Sequence, residues 1–123
     1  MRREMLFLTG GVLLVVVAAG LAAAPRGARA ADEPRVVAIT ARRFEFSPRE
    51  ITLKQGETVK LQLTTEDVTH GFFLRPLGID AEIVPGQTTE VVVTPRAAGR
   101  YTTICDHFCG AGHGGMKMTI VVE

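Results

Sequence analysis

The sequence predicts an all-β, antiparallel Greek-key sandwich. Three observations carry that prediction. After residue 31, apolar and polar residues alternate with a period of two along much of the chain. Gly and Pro punctuate this alternation at short intervals. No stretch in the same region repeats its apolar residues every 3.6 positions over a helix's length. Many short strands at such spacing close into a sandwich or barrel.

In chain order, the first element is a hydrophobic helix ahead of the sandwich. Met5 to Ala24 is a nearly unbroken apolar run with Thr9 as its one polar side chain; Arg2 and Arg3 precede it and Ala28-Arg29-Ala30 follows. A basic start, an apolar core and a small-x-small site mark a secretory signal peptide, cut to leave Ala31 first. Residues 5–24 at about 1.5 Å each also span the roughly 30 Å of a bilayer core, so a retained single anchor fits as well. Both readings export the remainder, to the periplasm or the outer face of the cytoplasmic membrane. Both divide the chain into residues 1–30 and a domain of residues 31–123. Arg2-Arg3 carries a trace of twin-arginine export, weakened by the missing Ser before it and the very apolar core.

Within the domain, Val36, Ala38 and Thr40 alternate with Val37, Ile39 and Ala41, and Phe44 and Phe46 continue the period up to Ser47-Pro48. Ile51-Thr52-Leu53 leads into a turn at Lys54-Gln55-Gly56-Glu57. Val59, Leu61 and Leu63 against Lys60, Gln62 and Thr64 give the clearest strand with one buried face. Strands at Phe72–Leu74, Thr89–Thr94, Tyr101–Ile104 and Lys117–Val122 follow, separated in part by Pro85-Gly86, Pro95 and Gly99. Met118, alternating with Lys117 and Thr119, reads as core.

The chain's 14 basic and 13 acidic residues give a net charge of +1. Residues 1–30 hold four of the basic residues and one acidic residue, leaving 10 against 12, or −2, on the domain. That balance fits neither a basic nucleic-acid binder nor a disordered acidic tail. A domain of 93 residues is small enough for a bound metal to add appreciably to its stability.

One segment does not fit a plain sandwich. Cys105 to Met116 reads CDHFCGAGHGGM, with two Cys, two His, a Met and four glycines, and little to fill a core. Thiolate, imidazole and thioether are the ligands that suit copper and, without the thioether, zinc. The glycines allow the tight turns that aim several side chains at one point. Strands on both sides would hold the loop, and His70, at a strand end, would complete the donor set.

Simpler readings compete for each residue. Two Cys in an exported domain most often form a disulfide, although one closing so short a loop constrains the unfolded chain little. Alone, His70 would be a surface or satisfied histidine and Met116 a core residue. Their concentration, with Cys105, Cys109, His113 and Met116 spaced four, four and three apart, favours a metal site.

The pattern C-x3-C-G-x2-H-x2-M, with D-V-x-H-G-F upstream at Asp67 to Phe72, resembles the copper A (CuA) domain of cytochrome c oxidase subunit II. Pro85-Gly86-Gln87 and Ala98-Gly99-Arg100-Tyr101 are similar as well. The likeness covers roughly Val59 to Glu123, and more loosely the whole domain as a cupredoxin sandwich. It implies a dinuclear copper centre in which Cys105 and Cys109 bridge two copper ions. His70 and His113 would each bind one copper. Met116 and the backbone carbonyl of His107 would be weak ligands, one to each metal. The family often has Glu, Gln or Trp where this chain has His107; a backbone donor tolerates the change and leaves the imidazole as a loose end. The resemblance further implies one-electron transfer, with a cytochrome c as redox partner and an oxidase catalytic subunit as a possible host. The protein itself would be a relay and not a catalyst.

Two departures bear on that host. The chain is expected to have at most one membrane segment where many family members have two, although single-helix forms exist. It also lacks Trp, although mitochondrial-type members use an aromatic residue near the copper for electron entry. A free exported cupredoxin with the same site is therefore the alternative to an oxidase subunit. Three other functions compete. A mononuclear blue-copper carrier would use His70, Cys109, His113 and Met116, leaving Cys105 unexplained. A copper chaperone would use the C-x3-C pair, but the thioredoxin-like kind requires βαβ patterning that is absent. A structural zinc site of His70, Cys105, Cys109 and His113 would make Met116 incidental.

Overall fold

The computed structural model describes residues 33–123 together with Gly11 and Gly20. Those two glycines apart, the expected helix of residues 5–24 and the cleavage site at Ala28-Arg29-Ala30 lie outside the described residues. Among the described residues, no helix is long and apolar enough to cross a membrane. Helical structure there is confined to two short 3-10 turns, Arg75–Leu77 and His113–Gly115.

The alternating segments become strands that pack as two sheets. The first sheet contains β1 (Arg35–Arg42), β2 (Glu45–Ser47), β4 (Val59–Thr65) and β7 (Thr89–Val93), in the order β2-β1-β4-β7. The second contains β3 (Glu50–Leu53), β5 (His70–Leu74), β6 (Ile79–Ile83), β8 (Gly99–Ile104) and β9 (Lys117–Val122), in the order β3-β9-β8-β5-β6. The alternation decides which face is buried. In β4, Val59, Leu61 and Leu63 point inward, and in β9 Met118, Ile120 and Val122 do so. Between the sheets, the Phe46 and Phe72 rings meet edge to face with centroids 5.4 Å apart. Tyr101 fastens the start of β8 by donating its hydroxyl to the Ala97 carbonyl at 2.7 Å.

Three features correct the sequence reading. The sandwich is mixed, not purely antiparallel. β1 runs parallel to β4, pairing Arg35 with Val59 through Ala41 with Thr65, and β3 runs parallel to β9. Parallel neighbours need a crossover, and the chain supplies one by entering the second sheet at β3 and returning to the first at β4. The strand expected to continue through Phe44 instead breaks at Arg43-Phe44. β2 then folds back on β1 as a hairpin with Arg42 opposite Glu45. An Arg42–Glu45 ion pair spans the turn. Finally, β6 is absent from the sequence reading although I-D-A-E-I carries the alternation, with Ile79 and Ile83 buried.

Candidate metal centre

Four segments meet at one end of the sandwich: the end of β8, the start of β9, the start of β5 and the tip of the β1–β2 hairpin. Cys105 follows β8 directly, and its N–H donates to the Met116 carbonyl at 3.1 Å. That bond extends the β8–β9 ladder past the Ile104–Lys117 pair and closes the loop at its base. Inside the loop, the His113 N–H donates to the Gly110 carbonyl and the Met116 N–H to the His113 carbonyl, both at 3.1 Å. Backbone bonds thus set where His113 and Met116 point.

Cys105 and Cys109 are buried free thiols with their sulfurs 3.9 Å apart. Each sulfur has its own neighbours. Cys105 Sγ lies 3.9 Å from His70 Nδ1 and donates to the His107 carbonyl at 3.2 Å. Cys109 Sγ lies 3.7 Å from His113 Nδ1 and 3.9 Å from Met116 Sδ. The donor atoms of His70, Cys105 and Cys109 all fall within 4.8 Å of one another, a spacing that can hold a metal ion. His70 and Met116 are essentially inaccessible to solvent, whereas His113 is half-buried with its ring 5.8 Å from the exposed Phe108 ring.

The surroundings prepare these groups. Asp67 Oδ1 accepts from His70 Nε2–H at 2.8 Å, leaving Nδ1 as the lone-pair nitrogen on the sulfur side. Burial opposes ionisation of the Asp67 carboxyl. Donation from the Arg43 N–H, from His70 and from the Val68 N–H outweighs it and holds the group well below the usual carboxylate range. The Gly71 N–H donates to Cys105 Sγ at 3.3 Å. Burial, reinforced by the Cys105 thiol, pushes the Cys109 thiol up to about 11, against the opposing charge of Arg43.

All five side chains expected as ligands, His70, Cys105, Cys109, His113 and Met116, are therefore brought together. His107 divides: its carbonyl faces Cys105, while its imidazole is exposed, 3.8 Å from the Glu82 carboxylate. Three contributors were not singled out from sequence. Arg43 donates its side-chain Nε–H to the Cys109 carbonyl at 2.9 Å, and no local motif marks it. Asp67 lies in the quoted D-V-x-H-G-F run, where its spacing of three from His70 is the available signal. Gly71, in the same run, lets Asp106 and His107 pass over β5. A Cβ there would lie 2.8 Å from both their backbone nitrogens and 2.0 Å from Asp106 Oδ1.

A two-sheet sandwich with a buried cluster of soft donors on an end loop defines a class of metal-site domain. The family assignment is narrower: the chain belongs to the cupredoxin-like domain family, whose model matches residues 11–122. Membership and the donor set together imply copper. Cytochrome c oxidase subunit 2 of Thermus thermophilus is 38% identical over 80 residues, covering 65% of this chain and 59% of the relative. The nitrous-oxide reductase of Cupriavidus necator is 36% identical over 91 residues, covering 71% of this chain and 14% of the enzyme. The chain thus spans only part of these relatives. Among solved structures, the periplasmic domain of cytochrome oxidase subunit II from Bradyrhizobium japonicum shares the fold with a TM-score of 0.67 at 20% identity. That match covers 72% of this chain and 83% of the other.

Proposed function

We propose that this protein is a copper electron-transfer module whose centre holds two copper ions. Cys105 and Cys109 would bridge the metals. His70, His113, Met116 and the His107 carbonyl would complete the donor set. The observation that carries this reading is two free thiols, 3.9 Å apart, with two imidazoles, a thioether and a backbone carbonyl gathered around them. A mononuclear site has no use for the second thiol. A zinc site has no use for the thioether, and the free thiols do not form the competing disulfide.

When bound, the copper pair supplies one-electron redox chemistry. The residues supply the rest. Strand-anchored backbone keeps the donors in place as charge changes, so little reorganisation accompanies each transfer. Asp67 holds the His70 ring in one tautomer and orientation. The Gly71 N–H is poised to stabilise sulfur charge at Cys105. Burial of Met116 and both cysteines limits water at the centre.

The electron would come from a reduced one-electron donor protein such as a cytochrome c and pass to an oxidised acceptor. An oxidase catalytic subunit is one such acceptor, supported by the subunit 2 relatives. Residues 1–30 would export the domain to the periplasm or the outer face of the cytoplasmic membrane, whether cleaved or kept as an anchor. Replacing one bridge tests the reading. Cys105→Ser should lose the two-copper spectrum, whereas Met116→Leu should keep both metals and change only the potential. An unchanged two-copper spectrum in Cys105→Ser would sink the assignment.

A further inference from the structure

The tip of the β1–β2 hairpin sits against the metal loop, and its two residues have little else to explain them. A two-residue hairpin turn favours Asn, Asp or Gly, yet this one is Arg43-Phe44, with both residues exposed. Their contacts lie across the fold. The Arg43 N–H donates to Asp67 Oδ2 at 2.8 Å, joining the turn to the carboxylate that orients His70. The Arg43 Nε–H donates to the Cys109 carbonyl at 2.9 Å, across 66 residues of sequence. The Phe44 ring covers the loop glycines so closely that a Cβ on Gly110 or Gly112 would lie 2.9 or 2.5 Å from a ring carbon.

One hairpin tip thus touches both halves of the donor set, through Asp67 on the His70 side and through Cys109 to Gly112 on the loop side. We propose that Arg43 and Phe44 are positioning residues, a clasp that holds the Cys105–Met116 loop in its ligating shape before metal arrives. Arg43 in addition favours the reduced centre through its charge. A fixed cation beside a redox site stabilises the state that carries one more electron, and hydrogen bonds behind the ligands set their geometry. Only the redox part rests on the two-copper reading; the clasp concerns the metal-free loop.

Amide hydrogen exchange on the metal-free full-length chain separates the two parts. In Arg43→Gln and Phe44→Ala, amides of residues 109–116 should exchange roughly three- to tenfold faster, the scale of one lost hydrogen bond or contact. Amides of β4 and β9 should keep their rates. Wild-type loop rates in both variants, or acceleration spread equally over the strands, would overturn the clasp. After copper loading, Arg43→Gln should have a more negative midpoint potential. Arg43→Lys, which keeps the charge but not the Nε–H, should restore the potential while leaving the loop fast. An unchanged potential in Arg43→Gln would overturn the electrostatic part. If the wild-type chain takes up no copper pair, the electron-transfer reading fails, and the exchange comparison still decides the clasp.

Discussion

Burial and the Cys105 thiol keep the Cys109 thiol protonated in the metal-free protein well above neutral pH, since they push it up to about 11. In the unfolded chain the same thiol ionises near its ordinary value, around 8.5. Between those values the unfolded state holds fewer protons than the folded one, so folding stability falls as pH rises. The metal-free protein should therefore keep this contribution below about pH 8.5 and lose it progressively towards about pH 11. Denaturant titrations across that range, with Cys109→Ser as the comparison, check the sign. Gly71 makes a second prediction at this scale. Gly71→Ala places a methyl group against the backbone of Asp106 and His107, which cannot swing aside as a side-chain tip can. It should cost on the order of 2 kcal/mol in stability and weaken copper binding, both readable from denaturation midpoints and copper titration. The residues that gather at the centre were legible because their chemistry is packed into one short stretch plus His70. Arg43 and Phe44 were not, because their contacts form only when distant segments meet.

Individual strands were legible because each exposes one face and buries the other, which writes the period of two into the sequence; β4 is the plainest case, and β9 matches its expected limits. Pairing was less legible. Nothing in the side chains of β1 declares that its neighbour is β4, in parallel, since that register is reached through a crossover by way of the other sheet. The Arg43-Phe44 break was hidden because the turn lacks Asn or Gly and because Phe44 keeps the alternation going. β8 carries a testable oddity beside the site. Thr103 is fully buried, and its hydroxyl has no hydrogen-bond partner among the described residues. Such a group pays its desolvation cost without return. Thr103→Val, nearly the same shape, should stabilise the protein by about 1 kcal/mol in equilibrium unfolding. A destabilised variant would mean that the hydroxyl has a partner, such as an ordered water.

At the scale of the molecule, the domain is a rigid mount. Two sheets with a shared core hold the ends of β5, β8 and β9 in fixed relation, and the donors ride on those ends. Such a mount suits electron transfer because the site need not move to work. Metal should in turn stabilise this small domain, since it binds the folded state and the folded state alone assembles all five side chains. The most direct test of the central claim is copper stoichiometry with the electron paramagnetic resonance spectrum of the oxidised, copper-loaded full chain. Two coppers per chain with hyperfine structure from one electron shared over two nuclei is the predicted result. One copper with a single-nucleus pattern, or tightly held Cu(I) that stays silent after oxidation, would contradict it.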